Sequence, residues 1–366
     1  MGKKGGSIYR RRVLDYVEVD TGMAGAYREP PDIVEVVEHI ASREQSPGAR
    51  ERISRIRVAG YYIDVYGAWM AVAWVKLASD KPPDPLWWRP SVFMVHGVRG
   101  SGKSTFLETI GMLIVDEGDN TTIVDLIGSA DGENLAWLAM DRLGGRILLV
   151  GDGSVEIRKC QPCREKGVEV VLKSYHELSV GDIVGSRLVI NCPLLYASSG
   201  GELEGASHIL KLLYTQEILH AMRKKTNRKL VYTLIREAYT VMYSRLKILG
   251  HEQLDVKSAA IYMVNQARHM GMVMGLDTIY GKSIDKMVRM SLDALVVKNV
   301  GSLGMLDEYS WALSVLDAHG LRRMEKNQFA IVYPAGHVGV GVYRKPEWHM
   351  EIGEDILEKT GIELSP

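Results

Sequence analysis

An apolar run, Val92-Phe93-Met94-Val95, leads directly into Gly97-Val98-Arg99-Gly100-Ser101-Gly102-Lys103-Ser104-Thr105, and a helix-like stretch follows from Thr105 to Val115. Residues 97–104 fit the pattern GxxxxGK[ST]. The order strand, glycine turn, helix constrains the fold more than the pattern does. A strand has to deliver the chain to a tight turn, and a helix has to leave it with free N–H groups aimed at phosphate. The glycines allow backbone conformations that a Cβ would block. Residues 97–105 are therefore expected to hold a nucleotide. Lys103 would reach the β- and γ-phosphates, and the Ser104 hydroxyl would ligate Mg²⁺.

The rest of the chain is consistent with a globular α/β protein. Its 366 residues suffice for one large domain and a smaller one, and 46% of them are apolar. Lys plus Arg and Asp plus Glu both number 45, so the net charge is zero. Charge balance thus gives no support to nucleic-acid binding, although a local basic strip remains compatible with it. No apolar run reaches the roughly 18–20 residues a membrane crossing needs. The stretch from Tyr61 to Ala78 comes nearest and is interrupted by Asp64 and Lys76. No signal-peptide core is visible at the N-terminus, and three cysteines make no disulfide framework, so a cytoplasmic location is expected.

Pro82-Pro83-Asp84-Pro85 is the clearest linker, and the expected division is an N-terminal region, 1–85, and a P-loop domain, 86–366, with a tail from about 346. The first region holds an alternating run, Val13 to Val19, and a helix start at Pro30-Pro31-Asp32. Residues 50–79 read as mostly helical, so the region is expected to be small and mostly helical. After the linker, apolar strand candidates at 92–96, 121–126, 146–150, 187–191, 230–235, 272–276 and 293–297 alternate with helix candidates at 103–116, 202–224, 238–247 and 253–270. Strands apolar on both faces between helices imply a mainly parallel sheet covered on both sides. Residues 329–333 and 338–343 read as a C-terminal β-hairpin around Pro334-Ala335-Gly336-His337.

Phosphoryl transfer also needs a carboxylate at a strand end and a device that neutralises developing charge. The best carboxylate is Glu237, where the apolar strand Leu230 to Ile235 ends in Arg236-Glu237-Ala238. At this point the chain resembles the FtsK/HerA group of DNA-translocating and DNA-packaging ATPases. Val231 to Tyr239 looks like their strand ending in Asp-Glu-Ala. Ala267 to Thr278 looks like their Arg-containing helix and the next strand, and Thr122-Ile123-Val124-Asp125 like their second strand. Gln266 to Asp285, with Pro346-Glu347-Trp348-His349, is similar to archaeal and archaeal-virus ATP-binding proteins of the group. The resemblance spans roughly residues 90–360 and implies a RecA-like P-loop core, ATP and Mg²⁺ as cofactors, Glu237 polarising the attacking water, double-stranded DNA as partner and a homo-oligomeric ring, such as a hexamer. Arg268, inside the matching segment, is the best candidate for an arginine donated across a subunit boundary; Arg289, Arg322 and Arg323 qualify by residue type alone.

Two positions depart from the pattern. Arg236 stands where the group has its Mg²⁺-holding Asp, and a cation there cannot support Mg²⁺. It would contact phosphate, pair with a carboxylate such as Asp125, or form an ordinary helix-start ion pair with Glu237. Thr278-Ile279 replaces the usual Thr-Gln, leaving Asp277 or Thr278 to stand in for the amide. Two functions follow: an ATP-dependent DNA translocase or genome-packaging motor, or a nucleotide-gated switch or assembly ATPase with little turnover. A small-molecule kinase is disfavoured by the lack of an Arg-rich lid.

Other signals have plainer readings. Gly151-Asp152-Gly153 reads as a tight turn, and Cys160-Gln161-Pro162-Cys163 is half a zinc site with no second pair. His96, Trp87-Trp88 and the methionines at 270, 272 and 274 read as core. The cations at 223–225 and 228–229 suit a helix C-terminus. Arg10-Arg11-Arg12 is ambiguous, and Arg245 and Lys247 are the candidates for a DNA-facing loop.

Overall fold

Near-continuous apolar sequence on both faces forces a strand into the middle of a covered sheet, and the computed structural model of the chain is organised around such strands. It describes residues 17–20, 55–63, 69–76 and, within 78–365, all but 80–82, 88, 118–120, 141–143, 161–167, 199, 216–229, 245–250 and 302–320. The readings of residues 10–12 and 30–32, Trp88, Cys163, the cations at 223–229, and Arg245 and Lys247 fall outside the described residues.

In chain order the strands are β1 (Val17–Asp20), β2 (Arg55–Ile63), β3 (Trp69–Lys76), β4 (Ser91–His96), β5 (Thr121–Ile127), β6 (Arg146–Gly151), β7 (Glu156–Cys160) and β8 (Glu169–Ser174). They continue with β9 (Leu188–Asn191), β10 (Leu230–Ile235), β11 (Met272–Thr278), β12 (Ala294–Val297), β13 (Gln328–Val332), β14 (Val338–Arg344) and β15 (Ile362–Ser365). The α-helices are α1 (Lys103–Glu117), α2 (Val180–Gly185), α3 (Gly201–Leu213), α4 (His251–Met270), α5 (Lys286–Met290) and α6 (Ile356–Thr360).

One sheet takes the order β1-β2-β3-β14-β13-β12-β4-β11-β10-β5-β9-β6-β8. From β12 to β8 every pairing is parallel. From β12 back to β1 every pairing is antiparallel, β13 and β14 forming the expected hairpin. Among the central strands β11 separates the P-loop strand β4 from β10. With β12 beyond β4 and β5 beyond β10, this is a RecA-like P-loop NTPase fold. All residues of β4 and β11 are buried. Phe93 of β4 packs edge-on to Phe106 of α1 and stacked with Tyr232 of β10, which fixes the first helix against the sheet.

Two helix expectations are corrected. Within 50–79 the described segments 55–63 and 69–76 are the strands β2 and β3 and not helices. Met70, Val72 and Trp74 are buried, a period of two, and β14 offers β3 a partner along its whole length. A short apolar run fits a buried helix and a buried strand equally well, and the available edge decides. The same pairing makes β1 to β3 a continuation of the main sheet. Of the helix expected over 238–247, the described residues 238–244 form no α-helix either. Ala238–Thr240 is a single 3-10 turn, after which Asp285 N–H donates to Met242 O and Ser244 N–H to Ser283 O, both at 2.7 Å. Backbone groups engaged with a neighbouring segment are lost to a helix ladder.

The C-terminal segment is tied into the core. Trp348 packs on Trp137 with ring centroids 4.4 Å apart and donates Nε1–H to Met112 Sδ. β15 pairs with β7 in a separate two-stranded sheet. Among the described residues no helix is long and apolar enough to cross a membrane.

Candidate functional site

The parallel strands β4, β11, β10 and β5 all end at one edge of the sheet, and the loops that leave them make the site. After His96 the loop turns through Gly100 and Gly102, with φ of 70° and 85°. Gly102 has a second constraint: a Cβ there would lie 2.5 Å from Lys326 O and 2.7 Å from Tyr343 Oη. The first P-loop amides are anchored from neighbouring strand ends, Gly97 N–H donating to Thr278 O and Val98 N–H to Asn299 O. Lys103 begins α1 and donates Nζ–H to Val98 O at 3.2 Å. The loop thus presents a helix N-terminus and a lysine to an open cleft of about 510 Å³, lined by Gly100, Gly102, Lys103, Ser104, Thr105 and Glu133 on one side and by residues of 326–327 and 343–352 on the other.

A brace unforeseen in the sequence lies beneath this loop. Lys298, at the end of β12 and fully buried, donates Nζ–H to Lys326 O at 2.6 Å and to Tyr343 Oη at 2.9 Å. Tyr343 Oη also reaches Gly102 O at 2.8 Å. Burial, reinforced by Lys103, pushes the Lys298 ammonium well below the ordinary lysine range. His96 is likewise held neutral, lowered to about 4 by burial and then by Lys103, so it is a core residue and not a phosphate-binding cation.

Glu237 leaves β10 two strands from the P-loop strand, at the same sheet edge. It is the only non-glycine with positive φ among the described residues, at φ 46° and ψ 48°. A side chain in that region costs on the order of 1–3 kcal/mol and persists where surrounding structure imposes it. Two contacts impose it here. Glu237 N–H donates to Asp277 Oδ1 at 2.6 Å, and Tyr239 Oη donates to Glu237 Oε2 at 3.3 Å. Burial and then Glu237 raise the Tyr239 hydroxyl, and Arg99 of the P-loop draws it back. Asp277, at the end of β11, is buried; desolvation raises its pKa, while Lys103 is the first influence drawing it back. It holds the Glu237 backbone and faces the P-loop lysine's field.

Arg236 resolves into one of the alternatives open to it. Its guanidinium is 1% exposed and pairs with Asp125, Nη2 to Oδ2 at 2.7 Å and Nε to Oδ1 at 3.3 Å. Nη1 is shared by Glu108 Oε1 at 3.0 Å and Glu133 Oε1 at 3.2 Å. Trp137 Nε1–H completes Asp125 at 2.8 Å. Glu108 Oε2 meets His349 Nδ1 at 2.6 Å, and His349 Nε2 meets Thr105 Oγ1 at 3.1 Å. Burial works to raise Glu108, but Arg236 and His349 hold it below its usual range; burial keeps Glu133 above its own. Glu108, Glu133 and His349 were not singled out as site residues. A lone glutamate in the otherwise apolar stretch Phe106 to Val115 is a sequence signal for a buried cation partner.

The remaining candidates are placed elsewhere or play structural parts. Arg268 closes α4 at the opposite edge of the sheet, 68% exposed and ion-paired with Asp293. Asp293 Oδ2 in turn caps Val92 N–H at the start of β4. Asp152 accepts from Ser154 N–H and Ala197 N–H, the tight-turn role. Trp87, Met270, Met272 and Met274 are core. No group of three or more His, Cys, Asp or Glu suited to a metal occurs among the described residues, and Cys192 is buried. Ser104, Thr105 and Glu133 nevertheless give the cleft hard oxygen donors, the kind Mg²⁺ takes.

No protein-family model and no curated protein matches the sequence. Among solved structures the chain is similar to the genome packaging NTPase B204 from Sulfolobus turreted icosahedral virus 2 in complex with AMP, at 15% identity and a TM-score of 0.42, over 68% of this chain and 96% of that one. It is also similar to the pCW3 conjugation coupling protein TcpA with ATPgS, at 10% identity and a TM-score of 0.41, over 83% of this chain and 92% of that one. A third is the cytoplasmic domain of the Thermomonospora curvata Type VII secretion ATPase EccC, at 12% identity and a TM-score of 0.38, covering 70% of this chain and 24% of that one. The RecA-like fold stands on the strand order and the P-loop geometry themselves.

Proposed function

We propose that the chain hydrolyses ATP and uses the cycle as an ATP-dependent DNA translocase or genome-packaging motor. One observation carries the ATPase: Glu237, held in a strained backbone conformation by Asp277 and Tyr239, sits at the strand edge that also carries Lys103 and Ser104. Backbone amides of 97–105 and the Lys103 ammonium would hold the triphosphate. The Ser104 hydroxyl would hold Mg²⁺, which when bound supplies charge neutralisation at the phosphates. Glu237 would orient water in line with the γ-phosphate and accept its proton. The Asp277 bond to the Glu237 amide fixes where that carboxylate starts. The DNA substrate, the ring and the trans role of Arg268 come from the sequence resemblance to the FtsK/HerA group, and Arg268 has the exposure a trans role requires.

A second reading, a nucleotide-gated switch with little turnover, is favoured by one feature: Arg236 occupies the Mg²⁺-holding position of the group. Steady-state ATP hydrolysis with and without duplex DNA, together with mass in solution with and without ATP, separates the two. A motor turns over ATP, is stimulated by DNA and assembles. A monomer under both conditions whose slow turnover ignores DNA would remove the motor.

A further inference from the structure

Arg236 puts a cation where the FtsK/HerA pattern has its Mg²⁺-holding acid. We infer that Glu133, from the turn after β5, takes over that duty and completes the shell of the divalent ion opposite the Ser104 hydroxyl when a nucleoside triphosphate is bound. This rests on the P-loop reading above and goes further, because it moves the metal-holding acid to another strand and gives Arg236 the part of its positioning counter-ion.

Three observations carry it. First, the carboxylates around Arg236 are not equivalent. Asp125 is closed off by Arg236 and Trp137, and Glu108 by Arg236 and His349, and their side chains are 0% and 1% exposed. Glu133 is 23% exposed and lines the same cleft as Lys103, Ser104 and Thr105. Arg236 engages its Oε1, and among the described residues nothing else binds this carboxylate, which leaves Oε2 for the cleft.

Second, the turn that carries Glu133 is built rigidly. Gly132 precedes it at φ 75°, and Glu133 opens the 3-10 turn Glu133–Ala139. Asn134 Nδ2–H donates to Asn191 O at 3.0 Å, and Trp137 is clamped between Asp125 and Trp348. A metal-holding side chain needs such support to keep its geometry.

Third, the local charge has the sign a cation requires. Beside the P-loop one guanidinium faces three carboxylates, so acids outnumber the cation there. Asp277 is the rival acid, but it is 1% exposed and spends Oδ1 on the Glu237 amide.

The test is equilibrium binding of ATPγS in EDTA and in excess Mg²⁺, with bound Mn²⁺ followed by electron paramagnetic resonance, on wild type, Glu133→Gln, Asp277→Asn and Lys103→Ala. Glutamine keeps an oxygen for Arg236, and urea midpoints confirm that each variant is folded. Glu133→Gln is expected to bind ATPγS in EDTA within twofold of wild type. Its affinity gain on adding Mg²⁺ should fall at least tenfold, with loss of the nucleotide-dependent Mn²⁺ signal, and Glu133→Asp should restore part of it. A full Mg²⁺ gain in Glu133→Gln, or its loss in Asp277→Asn alone, overturns the assignment while leaving the P-loop reading intact. A wild type that binds no ATPγS, or a Lys103→Ala protein that binds as wild type does, overturns both.

Discussion

Replacing Arg236 by glutamine strips the guanidinium from a pocket holding Asp125, Glu108 and Glu133, with contacts at 2.7, 3.0 and 3.2 Å around a side chain 1% exposed. Removing one partner of a buried ion pair costs about 3–5 kcal/mol, because the remaining charge keeps its desolvation cost without its counter-ion. Glutamine returns one hydrogen bond to a charged group, about 1.5 kcal/mol, so the net loss should be about 1.5–3.5 kcal/mol. Arg236→Asp, which restores the acid of the FtsK/HerA pattern, adds a fourth carboxylate and should cost more than about 5 kcal/mol, enough to unfold many domains. The pH dependence has a definite sign. Burial already raises Asp125 and Glu133, and Arg236 is the first influence lowering both. Without it their folded values climb further. A carboxylate raised on folding contributes stability below its unfolded pKa that is lost as pH rises through the folded one. Glu108, held low against burial by Arg236 and His349, contributes stability above its unfolded pKa, and that contribution shrinks when Arg236 is gone. Both effects make the deficit larger at pH 8 than at pH 5. Urea unfolding followed by far-ultraviolet circular dichroism at the two pH values reads it out. A wild-type midpoint for Arg236→Gln at pH 8, or a deficit that grows on acidification, would refute the reasoning.

Three other substitutions probe the framework. Tyr343→Phe removes the hydroxyl shared by Lys298 and Gly102 and should cost about 1–3 kcal/mol in urea unfolding, with weaker nucleotide binding through a loosened P-loop. Trp348→Ala opens a cavity against Trp137 and Met112 and should cost about 3–5 kcal/mol, detaching the C-terminal segment and lowering nucleotide affinity by fluorescence titration. Glu237→Gly relieves the positive φ and should gain about 1 kcal/mol of stability while abolishing ATP turnover, the signature of strain kept for function.

Much of the fold was legible because its signals are local. The P-loop joins a glycine pattern to a strand and a helix, and the apolar runs of β4, β10 and β11 have no surface alternative. Pairing with Asp125, an acid within the apolar strand β5, was one of the alternatives the sequence left open for Arg236. Residues 55–76 were misread because a short run such as Trp69 to Lys76 is apolar enough for either state, and the choice depended on an edge of β14 more than 250 residues away. The acids that close around Arg236 were missed for the same reason. Glu108 lies on a helix, Glu133 on a turn and His349 near the C-terminus, and only tertiary structure brings them together. The Lys298–Tyr343 brace joins two strands on either side of β13 and leaves no local pattern at all.

The most direct measurement of the central claim compares single-turnover ATP hydrolysis by wild type and Glu237→Gln at matched, saturating nucleotide occupancy with Mg²⁺ present. Loss of a positioned general base predicts at least about a 100-fold slower chemical step with nucleotide affinity unchanged. Equal rates in the two proteins would show that the acid at the end of β10 takes no part in the chemistry of the P-loop.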